Sequence, residues 1–94
     1  MHFEFQRAAK AAKNHVVDFE IVFEEGILSG LRLVGGALWT GKNGEGELLV
    51  TLPSQKFLHE GKDRYFDLLR STNKDPQAIR EFKARVVAAF RAQL

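Results

Sequence analysis

Val17, Phe19, Ile21 and Phe23 alternate with Asp18, Glu20, Val22 and Glu24. A period of two turns one set toward an apolar layer and the other toward water, the pattern of a strand half buried in a sheet. The segments that follow leave little freedom in how that sheet is built. Glu25-Gly26 supplies a turn, Ile27 to Val34 reads as the returning strand with Arg32 on its wetter face, and Gly35-Gly36 allows a bend or bulge. Ala37 to Thr40 then forms a short third strand carrying Trp39, and Gly41 to Gly46 a hairpin loop. Glu47 to Leu52 is a fourth strand, ended by Pro53, which has no N–H to give to a ladder. Connections this short join antiparallel neighbours, because a parallel return needs a crossover of about a dozen residues. The predicted sheet is a meander.

The flanks complete the fold. Phe3 and Phe5 alternate with Glu4 and Gln6, which predicts a short first strand or strand-like arm. Ala8 to Asn14 holds helix formers without a large apolar side chain, so it reads as a loop or a single helical turn. Gln55 to Arg64 reads as a polar loop and Tyr65 to Leu69 as a short closing strand, whose alternation puts one ring of Tyr65-Phe66 inside. Asp75 as N-cap and Pro76 at the first helical position open a helix. Ile79, Phe82, Val86 and Phe90, three and four residues apart, share one of its faces. The expected fold class is α+β: an antiparallel β-meander of four to five strands packed on a C-terminal α-helix. Residues 1–94 form a single domain.

Composition narrows the chemistry. The chain has no cysteine, which excludes thiolate metal sites, a disulfide framework and cysteine nucleophiles. His2, His15 and His59 fall in a terminus or loops without metal-ligand spacing, and Ser29, Ser54 and Ser71 sit in no nucleophile-elbow context. The glycine-rich stretch around Lys42 lacks phosphate-loop spacing and opens no helix. No enzyme activity, metal or cofactor is expected. With no apolar run long enough to span a bilayer, no membrane association is expected either, and a cytoplasmic protein is the default reading.

Charge is more informative in its distribution than in its total of +2. Residues 1–47 carry five basic and seven acidic side chains, whereas residues 48–94 carry nine basic and five acidic. Such asymmetry can place a positive face on one side of a small fold, where it attracts phosphate backbones. Lys56, Arg64, Arg80, Lys83, Arg85 and Arg91 are the candidate phosphate contacts. Trp39, Phe57 and Tyr65 are candidate stacking faces for unpaired bases. Core packing is the stronger reading for each aromatic, and the helix cations serve equally as a solvated face.

One family has its features in this order. Phe19-Glu20-Ile21-Val22-Phe23-Glu24, Ile27 to Val34, Leu48-Leu49-Val50-Thr51-Leu52 and Pro53-Ser54-Gln55-Lys56 together make Val16 to Phe57 resemble the SpoVG family, the stage V sporulation protein G or septation regulators of bacteria. Arg64-Tyr65-Phe66-Asp67-Leu68 is similar to that family's run before its final helix. Leu69-Arg70-Ser71 stands where the family has His-Pro-Ile, and Ala78-Ile79-Arg80-Glu81 where it has Thr-Arg-x-Lys. The resemblance implies a bacterial homodimer that binds DNA or RNA and regulates without catalysis. The alternative is a protein-interaction module that pairs a sheet edge, Phe3 to Arg7 or Tyr65 to Leu69, with a partner and binds no nucleic acid.

Overall fold

Phe19, Ile21, Leu38 and Val86 are almost completely shielded from solvent, and the chain is arranged around them. The computed structural model describes residues 1–7, 13–41 and 46–93. Four strands, β1 (His2–Gln6), β2 (His15–Val22), β3 (Arg32–Thr40) and β4 (Leu48–Thr51), form an antiparallel sheet in chain order. A separate hairpin follows, made of β5 (Ser54–His59) and β6 (Lys62–Asp67), and then the helix α1 (Pro76–Ala92). The fold is α+β. The loop readings at Ala8–Ala12 and Lys42–Glu45 lie outside the described residues.

The period-two reading of β2 holds, and the N-terminal segment is a full sheet strand. Phe5 pairs with Phe19 and Phe3 with Ile21, so all four side chains point to one side. The helix covers that side. Phe82 meets Phe3 edge-on with ring centroids 5.6 Å apart, and Phe90 meets Phe5 at 5.3 Å. Val86 is buried between them, and burying an apolar side chain of this size contributes about 1.5–3 kcal/mol.

Two strand boundaries differ from the sequence reading. Ile27 to Leu31 belongs to the loop between β2 and β3, closed by the Phe23 N–H on the Leu31 carbonyl and the Gly30 N–H on the Phe23 carbonyl, both at 3.0 Å. Ile27 is 98% exposed there. The expected second and third strands are a single β3 that runs through Gly35-Gly36. The pair of glycines sits beside a bulge: Phe19 opposes Gly36 and Ile21 opposes Leu33, leaving one extra residue on β3, with Gly35 at φ +107.

The larger correction lies after Pro53. Gln55 to Arg64 is no loop, and Tyr65 to Leu69 does not close the sheet. Both segments fold onto each other as β5 and β6, joined by Glu60-Gly61 with φ of 51 and 74, the positive pair a tight two-residue hairpin turn requires. Tyr65 and Phe66 are exposed, at 66% and 36%, so neither ring enters the core. The hairpin is tied back at its base by the Leu68 N–H to the Pro53 carbonyl at 2.8 Å.

The helix begins as its sequence dictates. Asp75 accepts the Gln77 N–H at 2.9 Å and Pro76 follows. Asp75→Ala is expected to cost about 1 kcal/mol of stability by removing this cap, measured as a shifted midpoint in urea denaturation.

Candidate nucleic-acid interface

Cross-strand partners in a hairpin point to the same side, so the register of β5 and β6 sorts their side chains into two faces. Gln55 opposes Phe66, Phe57 opposes Arg64 and His59 opposes Lys62 on one face. Ser54 opposes Asp67, Lys56 opposes Tyr65 and Leu58 opposes Asp63 on the other. The sorting separates charge. The first face carries two phenylalanines with Lys62, Arg64 and His59, while both strand aspartates turn to the second.

Contacts confirm the assignment. Phe57 and Phe66 lie 5.6 Å apart, and His59 sits 6.4 Å from Phe57. Arg70, just past β6, places its guanidinium 5.6 Å from the centre of the Phe66 ring and donates to the Asp67 carbonyl at 2.8 Å. Glu60 occupies the turn, 3.8 Å from His59 Nε2. On the second face Lys56 is paired with Asp63 at 3.1 Å, so part of its charge is already met within the hairpin.

The base of that second face borders a half-open cleft of about 480 Å³ lined by Trp39, Thr51, Leu52, Tyr65, Asp67 and Lys83 among others. Three of the sequence candidates, Trp39, Tyr65 and Lys83, thus come together here. Trp39 is half-buried, stacked on His15 at 4.5 Å, and gives its indole N–H to Thr51 Oγ1 at 2.9 Å. One face of the indole is therefore occupied by the imidazole.

The helix divides its cations between two flanks. Lys83 lies toward β4, beside Val50 and Val87, and Arg80 and Arg91 project from the same flank by helical periodicity. Arg91 donates to the Gly46 carbonyl at 2.6 Å, tying the helix end to the segment that leads into β4, and Arg80 donates to Gln77 Oε1 at 3.3 Å. Arg85 lies on the opposite flank, with Ala78, Glu81 and Phe82. The six candidate cations therefore do not form one patch.

The sheet face away from the helix has a different electrostatic character. Arg32 bridges Glu20 at 2.6 Å and Glu4 at 3.0 Å, and the terminal amine reaches Glu24 at 3.1 Å. His2 contacts both Glu24 and Glu4. Hydrogen bonding to Glu24, then to Glu4, raises the His2 pKa above its ordinary value. The terminal amine and His2 lower that of Glu24, and His2 with Arg32 lowers that of Glu4. Opposite charges satisfy one another across this face, which leaves it little attraction for a polyanion.

Among the described residues, no cluster of three or more His, Asp or Glu could hold a metal, and no helix is long and apolar enough to cross a membrane. Compared with known proteins, no family model matches the chain, and neither a curated protein nor a solved structure matches it.

Sequence reasoning placed Phe57 and Arg64 but did not unite them with Phe66, Lys62, His59 and Arg70. The signal was present in the two-residue Glu60-Gly61 turn between segments of equal length. High polarity on both sides of that turn made the region read as a loop.

Proposed function

We propose that the protein is a non-catalytic nucleic-acid-binding regulator that contacts the phosphates of DNA or RNA and acts as a homodimer. The observation that carries this reading is the sorting of the hairpin: Lys62, Arg64 and Arg70 share a face with Phe57 and Phe66, while Asp63 and Asp67 turn away. Lysine and arginine fix a phosphate backbone in register, and a projecting ribbon lets them reach it without disturbing the core. Arg80 and Lys83 on one helix flank, and Arg85 on the other, widen the positive field. The resemblance to SpoVG proteins, carried by the motifs from Phe19 to Lys56, points to the same class of ligand and to the dimer.

Binding measured by fluorescence anisotropy across a salt series tests the reading. Three phosphate contacts per protomer give six per dimer, hence an expected log–log slope of about −5 on duplex and about −4 on single strands. A flat salt response on every nucleic acid overturns it.

One observation favours the second reading, a module that pairs a sheet edge. Among the described residues, Leu48–Thr51 of β4 bonds β3 alone, and a groove of about 300 Å³ lined by Leu48, Leu49, Val50, Lys83, Ala84 and Val87 runs between this strand and α1. An open edge next to a largely apolar groove suits strand addition. Partner binding through it would persist at high salt.

A further inference from the structure

The hairpin face offers more than charge. Phe57 is 41% exposed and Phe66 36%, although together they form an aromatic pair that a monomeric domain of this size would ordinarily cover. Their rings are 5.6 Å apart and tilted by 58°, so they present two faces that are not coplanar. Arg64 projects opposite Phe57, and Arg70 lies over the Phe66 ring. Each aromatic thus stands next to a cation, Arg70 covering one face of the Phe66 ring.

We propose that this face is a binding site for single-stranded nucleic acid, with Phe57 and Phe66 each stacking on one unpaired base and Arg64, Arg70 and Lys62 holding the intervening backbone. The inference rests on the nucleic-acid reading above and names the form of its ligand. In a duplex the base faces are covered by their neighbours, and only edges and backbone reach a protein surface. In a single strand the bases are free to splay, and aromatic side chains bind them by their π-faces with little regard to sequence. Two tilted rings require that splaying, because continuously stacked bases cannot lie flat on both. The segregation of Asp63 and Asp67 to the other face leaves this one with no strand carboxylate to repel the backbone.

The test compares three fluorescent probes on the full chain: a twenty-nucleotide oligothymidine, a duplex of equal length, and an oligomer of the same phosphate count built from abasic units. Stacking predicts that the abasic oligomer binds at least about tenfold more weakly than oligothymidine, and the duplex more weakly too. Phe57→Leu and Phe66→Leu keep an apolar side chain at both strand positions but remove the π-face. Each is expected to weaken oligothymidine binding about tenfold and abasic binding much less. The abasic comparison uses the unsubstituted protein, so it decides the matter even where a variant misfolds. Equal binding to oligothymidine and the abasic oligomer overturns the stacking proposal while leaving phosphate binding intact. Failure of all three probes to bind at low salt overturns both. Sedimentation without nucleic acid adds a third outcome. If the leucine variants convert a dimer to monomers, and the probes bind equally, the rings belong to a protein interface and the proposal falls.

Discussion

Replacing Gly36 by alanine is expected to lower the thermal midpoint by roughly 15 °C, from a loss of about 3 kcal/mol in a domain where each kcal/mol moves the midpoint about 4–8 °C. Gly36 lies opposite Phe19 in the sheet, and a Cβ there would fall 2.3, 2.4 and 2.6 Å from three atoms of the Phe19 ring. Real carbon atoms do not approach so closely. The ring cannot retreat, because it is fully buried and held between Phe3 and Phe5 at 6.2 and 6.5 Å. Either β3 moves away from β2 or the ring leaves its rotamer, and both disturb the packing of Val86 behind it. A double-mutant cycle isolates the cause. In a Phe19→Leu background the alanine should cost much less, since the smaller side chain vacates the space above Gly36. An equal cost in both backgrounds would assign the effect to the backbone instead. Gly26 and Gly30 give the contrast, with positive φ but open space around them: substitutions there are strained without a clash.

The same glycine shows what was and was not legible in the sequence. The alternation from Val17 to Phe23 and the four-residue spacing of Phe82, Val86 and Phe90 identified the core directly, because a repeating period reports which face is buried whatever covers it. The cap at Asp75-Pro76 was equally plain. Gly35-Gly36 was readable as a bulge, but whether it ended a strand depended on Phe19 filling the space of the missing side chain, a contact between residues far apart in the chain. Ile27 misled for the converse reason: its β-branched side chain favours a strand, yet the loop closed by Phe23 and Leu31 leaves it in water. The hairpin was hidden because strands that bury neither face have no apolar period to detect. Its pairing comes from the Glu60-Gly61 turn, the ladder and exposed cross-strand pairs such as Phe57–Phe66 and Lys56–Asp63. The candidate site was therefore legible as a list of cations and rings, but not as a surface, since the grouping of Phe57, Arg64 and Phe66 exists only once β5 and β6 pair.

Charge reversal separates the hairpin from the helix as the seat of binding. Lys62, Arg64 and Arg70 changed together to Glu are expected to weaken nucleic-acid binding about 100-fold or more at low salt and to flatten the salt slope, because three phosphate contacts per protomer become repulsions. Lys62 and Arg64 lie on the exposed ribbon, Arg70 is exposed just past it, and none supports the core, so the thermal midpoint should move by only a few degrees. Arg80, Lys83 and Arg91 changed to Glu should show the opposite balance. Arg91 loses its bond to the Gly46 carbonyl and Lys83 is half-buried beside Val87, so stability falls measurably. Binding should fall much less, since two of these three cations are already engaged in packing and bonding that holds the helix to the sheet. Anisotropy and thermal denaturation of both triple variants decide between the two surfaces. Loss of binding in the helix variant with its fold intact, alongside full binding in the hairpin variant, would move the polyanion from the ribbon to the flank of α1.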